Sequence, residues 1–215
     1  MSVPVTLEAL DLAALLCSRV CHDLISPVGA VVNGIEVMED DADEQTKVFA
    51  IELIKKSATT ASARLQFCRL AFGAAGSAGA SIDTGDAEGV ARGMMEDDKT
   101  KLTWKLPRVL PRVLLPKNRV KLLLNLLVLA GGTIPRGGSL VIEPIGEGDA
   151  MGFKVTSSGL NARIPQAVPG LVAGQAENPI DAHAIQPFYT GLLARTCGMT
   201  VALAPEGETI VLTAQ

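Results

Sequence analysis

The sequence predicts an α+β protein in two parts. Residues 1–76 form an antiparallel helical hairpin that pairs with a second copy into a dimeric four-helix bundle, and residues 83–215 form an α/β sandwich. Three observations carry this expectation. Apolar and small residues recur at heptad spacing along two successive stretches. A run of Gly, Ala and Ser then separates those stretches from the remainder. Beyond it, short alternating runs interleave with helical patterns.

The first stretch, from about Thr6 to Asp40, places Leu10, Ala14, Cys17, Cys21, Leu24, Val28, Val31, Ile35 and Met38 at gaps that alternate four and three. That spacing is the seam of a helix that packs lengthwise on another. Asp40-Asp41-Ala42-Asp43 interrupts it and supplies N-cap candidates for the next helix. From Glu44 to about Phe72 a second seam runs through Ile51, Ile54, Ala58, Ala61, Leu65, Cys68 and Phe72. A two-helix hairpin leaves part of its apolar surface open, and an isologous dimer closes it. The alternative is that the C-terminal part covers the open seam.

Gly73-Ala-Ala-Gly-Ser-Ala-Gly-Ala80 reads as a flexible connector. A helix is expected over Gly85–Asp98 and a strand over Leu102–Leu106, with Asn118 capping a buried helix that ends at Gly131-Gly132. Ser139–Ile145 and Gly152–Ser157 read as paired strands. Pro179–Cys197 reads as a helix that Pro187 either bends or truly begins, with Gly198 as its stop. Thr200–Ala204 and Thr209–Thr213 read as a closing hairpin around Pro205-Glu-Gly-Glu208.

Composition narrows the function classes. Aromatics are scarce, at 3%, and Ala and Leu dominate, which favours helix packing over a β-sandwich. A net charge of −4 with no basic stripe argues against a nucleic-acid partner. The N-terminus lacks the order of a secretory leader, and the most apolar run, Val120–Ala130, is too short to span a bilayer. The four cysteines lie apart, without Cys-x-x-Cys clusters, so reduced thiols and a cytoplasmic location are expected.

Of two histidines, His22 falls at the b position of the first heptad seam, off the core. Its neighbours one turn away, Ser18 and Ser26, are small, and Gly29 lies two turns on. Arg19, Ser26 and Asn33 share the outward f positions. A nucleophilic imidazole that meets a bulky phosphoryl donor needs such open surroundings. Asp23 follows directly: a neutral imidazole attacks phosphorus through one ring nitrogen while a carboxylate restrains the other. Pro27 removes a helix N–H and crowds the carbonyl of Asp23, so a bend is expected there. His183 has no paired nucleophile and is read as packing or capping. Cys17, Cys21 and His22 are spaced like a helical metal cluster, but seam cysteines are expected to be buried as small apolar residues. Asp97-Asp98 reads as a solvated turn, and Arg108, Arg112 and Lys117 as a modest basic patch.

The run His22-Asp-Leu-Ile-Ser-Pro27 resembles the H-box of histidine kinases, His-Glu/Asp-x-x-x-Pro. Lys121-Leu-Leu-Leu-Asn125-Leu-Leu-Val-Leu129-Ala130 resembles their N-box, with Leu129 where the kinases carry a second, Mg²⁺-binding Asn. Val155-Thr-Ser-Ser-Gly159-Leu-Asn161 falls where they have Asp-x-Gly-x-Gly; Ser157 replaces the adenine-reading Asp and Asn161 the second Gly. Gln186-Pro187-Phe188 stands near their Gly-x-Gly-Leu loop, and a proline has no N–H to offer a phosphate. A phospho-accepting histidine beside a degenerate ATPase-like domain is the pattern of the ChpT family of alphaproteobacterial histidine phosphotransferases, which this chain resembles over nearly its whole length.

The resemblance implies a cycle from a receiver-domain aspartyl phosphate to His22 and on to a second receiver, without ATP binding. Catalytic roles fall to His22 as phospho-acceptor and to Asp23. Arg19, Ser26, Pro27, Gly29 and Asn33 are expected to bind the receiver. The implied partners are the receiver domain of a CckA-type hybrid histidine kinase and response regulators of CtrA and CpdR type. The receiver supplies Mg²⁺, so no cofactor or metal site is expected in this chain. Two rival readings use the same residues: a divergent ATP-dependent sensor kinase, and a non-catalytic dimeric scaffold or kinase inhibitor. Replacement His22→Ala is expected to abolish phosphoryl acceptance and leave the circular dichroism spectrum and dimer mass unchanged, because a b position contributes little packing. His183→Ala is expected to leave acceptance in place.

Overall fold

Two long helices open the chain in the computed structural model, which describes residues 5–40, 43–73, 81–107, 113–147, 151–176 and 178–215. Helix α1 spans Ala9–Glu39 and α2 spans Glu44–Ala71, antiparallel to each other. Asp43 begins α2 as its sequence position suggests. Its carboxylate accepts the Thr46 N–H at 2.9 Å and the Thr46 hydroxyl at 3.0 Å. Those bonds, led by the backbone one, hold the Asp43 carboxyl below its ordinary range.

The face by which α1 meets α2 coincides with the predicted seam only in part: Leu24, Val31 and Met38 of α1 and Ile54 and Ala61 of α2 are half-buried and Cys68 is buried, while most of the rest is exposed. Pro27 and Gly34 are the buried residues of α1, and Ala50, Ser57, Phe67, Cys68 and Ala71 those of α2. At Gly34 the helices come so close that a Cβ would lie 2.6 Å from Ile54 Cγ1 and 3.3 Å from the Ala50 carbonyl oxygen. The seam residues Leu10, Cys17, Cys21, Val28 and Ile35 stay exposed, as do Ile25, at 73%, and Phe49, at 60%. Helix α1 thus has two apolar faces. The proline and the glycine, too small or too irregular to register in a heptad count, mark the one used within the chain. With so many apolar residues, α1 is also long and apolar enough to cross a membrane by composition, which a search for unbroken apolar runs overlooks.

The C-terminal part is a five-stranded sheet with helices packed on it, ordered β2-β4-β5-β7-β6. Strand β2 (Thr100–Trp104) runs parallel to β4 (Gly138–Ile145); β5 (Gly152–Ser158), β7 (Thr209–Ala214) and β6 (Val201–Glu206) continue antiparallel. A short antiparallel pair, β1 (Ser81–Asp83) with β3 (Leu114–Pro116), was not anticipated. Helices α3 (Thr84–Met95), α4 (Lys117–Thr133), α5 (Ala167–Val172) and α6 (Ile185–Thr196) complete the order. Pro187 sits in the first turn of α6 and so marks its start. Pro116, not Asn118, precedes α4. The connector at 74–80 and the basic residues Arg108 and Arg112 lie outside the described residues.

Helix α4 is the axis of the core. Leu122, Leu123, Leu124, Leu126 and Leu127 are all fully buried, each worth about 2 kcal/mol relative to exposure. A helix apolar all round must be covered all round, and here the hairpin does part of that work. Phe67 and Ala71 of α2 are buried in one cluster with Ala87, Ala91 and the α4 leucines. A second tie comes from the N-terminus, where the Val5 N–H donates to the Gly174 carbonyl at 2.7 Å. Substitution Gly34→Ala is expected to push the hairpin helices apart and to cost about 1–3 kcal/mol, read as a lower urea midpoint at fixed protein concentration.

Candidate functional site

Pro27 lies in the interior of α1 and cannot donate to the carbonyl four residues earlier, that of Asp23. Arg64 of α2 fills the vacancy: its Nη1 donates to the Asp23 carbonyl at 2.6 Å. The carboxylate of the same residue accepts Arg19 Nε at 3.0 Å through Oδ2, and its Oδ1 lies 3.3 Å from His22 Nδ1. The Asp23 side chain is 13% exposed and that of His22 57%. A nearly buried carboxylate, held by Arg19 on a backbone held by Arg64, therefore faces one nitrogen of an open imidazole. It favours the tautomer with the proton on Nδ1, which leaves a lone pair on Nε2, away from the carboxylate. On the far side of Asp23, burial and then the Asp23 charge push the Cys68 thiol up to about 11.

The other sequence-predicted residues separate into two groups. Ser26 and Asn33 are exposed on α1, and the place a Cβ would take at Gly29 has nothing within 4 Å. Arg19 does not stand free on the outward face as expected: its side chain is only 20% exposed and is paired with Asp23. Pro27 is buried and presents no surface, because it lies on the side of α1 that packs within the chain. Cys17 and Cys21 are exposed, since the seam meant to bury them is uncovered in the single chain. Among the described residues no group of three or more His, Cys, Asp and Glu side chains is arranged to hold a metal ion.

Sequence reasoning missed one neighbour. The ring of His183 lies with its centroid 5.1 Å from that of His22, the planes at 79°. His183 belongs to the turn ahead of α6, where the Asp181 carboxylate accepts the N–H groups of His183 at 2.9 Å and Ala184 at 2.8 Å. The cap is therefore Asp181 and not His183, and of the two roles expected for His183 it is packing that its ring takes up, against His22. No signal in the sequence links two residues so far apart. Only the packing of α6 against α1 does.

The positions that resemble kinase nucleotide boxes point inward. Asn125 Nδ2 donates to the Ala71 carbonyl at 3.2 Å and to that of Lys121 at 2.9 Å. Gln186 Nε2 donates to the Asn125 carbonyl at 3.0 Å, to Asn125 Oδ1 at 3.2 Å and to Thr190 Oγ1 at 3.2 Å. Ser157 shares a hydrogen bond of 2.6 Å with the Thr133 hydroxyl and donates to the Ile210 carbonyl at 3.1 Å. Leu129, Pro187 and Phe188 are buried. Gly159 is required by packing, since a Cβ there would collide with the Gly137 carbonyl.

A profile of the histidine phosphotransferase C-terminal domain matches residues 84–209. Over its full length, and over all of the relative, the chain is 54% identical to the protein phosphotransferase ChpT of Brucella abortus (strain 2308). The chain belongs to the ChpT family of histidine phosphotransferases. A bacterial phosphotransferase of solved structure is 51% identical, superposes with a TM-score of 0.88 and is covered completely, as is this chain. The α+β architecture, hairpin first and sheet after, is that of the family. Within it, the Arg64 bond satisfies the Asp23 carbonyl that Pro27 leaves open. Arg64→Met is expected to leave that half-buried carbonyl without a partner, costing about 1–3 kcal/mol in chemical denaturation and speeding amide exchange around Asp23.

Proposed function

We propose that the chain relays phosphoryl groups between receiver-domain aspartates through His22, in a multistep phosphorelay and without ATP. The observation that carries this is the pairing of an open imidazole with a fixed carboxylate at its Nδ1. In the forward step the Nε2 lone pair forms a P–N bond as the P–O bond to the donor aspartate breaks, and the carboxylate leaves with the electron pair. The Nδ1–H stays in place and Asp23 stabilises the positive charge that the ring acquires. The reverse step hands the group to a second aspartate. Such transfer is mostly a matter of alignment, and the receiver brings its own Mg²⁺.

Ser26, Gly29 and Asn33 form the open strip of α1 beside His22, where the receiver docks. The donor is the receiver of a CckA-type hybrid kinase and the acceptors are regulators of CtrA and CpdR type, by the family likeness. The exposed row Leu10, Ile25, Val28, Val32 and Ile35 on α1, with Val48, Phe49 and Leu53 on α2, is the surface by which two chains make a four-helix bundle in the cytoplasm. ATP has no place to bind because Asn125, Ser157 and Gln186 spend their polar atoms on internal partners.

The test is to incubate the chain with a receiver domain charged by acetyl phosphate. Acid-labile, alkali-stable label should appear on the wild-type chain and not on His22→Ala; label on the variant would falsify the assignment. Titration with an ATP analogue should give no heat at micromolar concentration, and a clear binding isotherm would favour a kinase instead. Ile35→Glu places a charge on the proposed bundle surface and should give monomers by light scattering, with the hairpin still helical.

A further inference from the structure

We propose that His183 is a positioning residue for phosphoryl transfer at His22, its ring holding the imidazole with Nδ1 at Asp23 and Nε2 outward. The inference rests on His22 being the phosphoryl acceptor. An exposed histidine on a helix ordinarily samples two χ1 wells and two broad χ2 orientations, about four in all. Among the described residues the hydrogen-bond restraint on His22 is the 3.3 Å contact to Asp23, which is long and acts on a single nitrogen. The His183 ring lies edge-on to the imidazole at 5.1 Å between centroids, a contact that orients one ring against the other. Among the described residues it makes no hydrogen bond of its own. Its action is therefore contact between rings, and its nitrogens are not the working atoms.

The placement of His183 is built into the fold from three sides. Asp181 fixes its backbone, accepting its N–H and that of Ala184 at 2.9 and 2.8 Å, while the Asp181 carbonyl accepts the Ile185 N–H at 3.0 Å. One turn on, Gln186 is bonded to Asn125, and Asn125 to the Ala71 carbonyl of α2. Helix α2 also carries Arg64, whose bond to Asp23 fixes the stretch of α1 that bears His22. Hydrogen bonds at both ends of α2, joined by the helix itself, thus link the stretch that bears His22 to the helix that follows His183. The charged groups nearest the ring pair are Asp23 and Arg19 on α1, Arg64 on α2 and Asp181 on the turn itself, and each of them already has a partner. Helix α6 with its leading turn serves the transfer site as a rigid arm, and the ring of His183 is its tip.

The test uses the full chain and a hybrid-kinase receiver domain charged with acetyl phosphate, in rapid-quench single turnovers across a range of receiver concentrations. His183→Ala should lower the limiting transfer rate about three- to fourfold, the share of orientations regained by a freed imidazole, and leave the half-saturating receiver concentration unchanged. His183→Phe, a ring without nitrogens, should restore the rate. Nitrogen-15 spectra of His22 should give mainly the Nδ1–H tautomer in the wild type and in the Phe variant, and a mixture in the Ala variant. An unchanged limiting rate in the Ala variant, a change only in half-saturation, or no recovery with Phe overturns the proposal. Absence of label on the wild-type chain would instead overturn the role of His22, and the tautomer spectra then decide the ring restraint on their own.

Discussion

Inside α1, Pro27 has no N–H to give to the carbonyl of Asp23, and Arg64 of the neighbouring helix gives one in its place. A half-buried carbonyl without a partner costs about 1–3 kcal/mol. The bond between the helices is therefore a strong constraint, and the largely buried Arg19–Asp23 pair adds to it within α1. Because Arg64 must reach that one carbonyl, α2 is set in rotation and height against α1. Asp23 is then held through both backbone and side chain, and the imidazole beside it inherits a fixed reference. The proline that costs α1 one of its own hydrogen bonds is what ties the two helices together beside His22.

The second domain rests on a related economy of polar groups. Asn125, Ser157 and Gln186 stand where the kinase-like pattern has nucleotide contacts, and all three are buried with internal partners. An amide left unsatisfied in such a core would be costly, so each change away from the pattern had to come with a new partner. The outcome is a network that joins α2, α4 and α6 across the domain. On the reading proposed above, a domain that no longer presents a nucleotide presents a fixed ring to the transfer site.

Periodicity made the two long helices, the strand pair at 138–158 and the closing hairpin legible from the sequence, because each carries a regular apolar repeat whether or not the single chain buries it. The Asp43 cap and the helix start at Pro187 were legible from local chemistry. The inner face of the hairpin was legible only in part: its buried residues include Pro27, Gly34, Ala50 and Ser57, whose value lies in close approach and which carry little hydrophobic signal. The β1–β3 pair is too short to establish a pattern. At the site, His22 and Asp23 could be read as adjacent partners, and Ser26, Gly29 and Asn33 as open surface. The inward turn of Arg19 depends on where Asp23 points, and the approach of His183 depends on tertiary packing. Neither is written in any local stretch of sequence.

Phe67 and Ala71 end the hairpin, yet they are buried in the same cluster as the leucines of α4. The boundary drawn by the glycine-rich connector is thus a boundary of chain direction and not of folding. The end of α2 packs into the core of the sheet domain, and removing that domain would strip Phe67 of its cover and the Ala71 carbonyl of its Asn125 partner. A chain cut back to the hairpin would therefore expose Phe67 to water at the end of the same helix that carries Arg64. The second domain is a cover for the hairpin before it is anything else, and any use it has at the transfer site comes in addition to that.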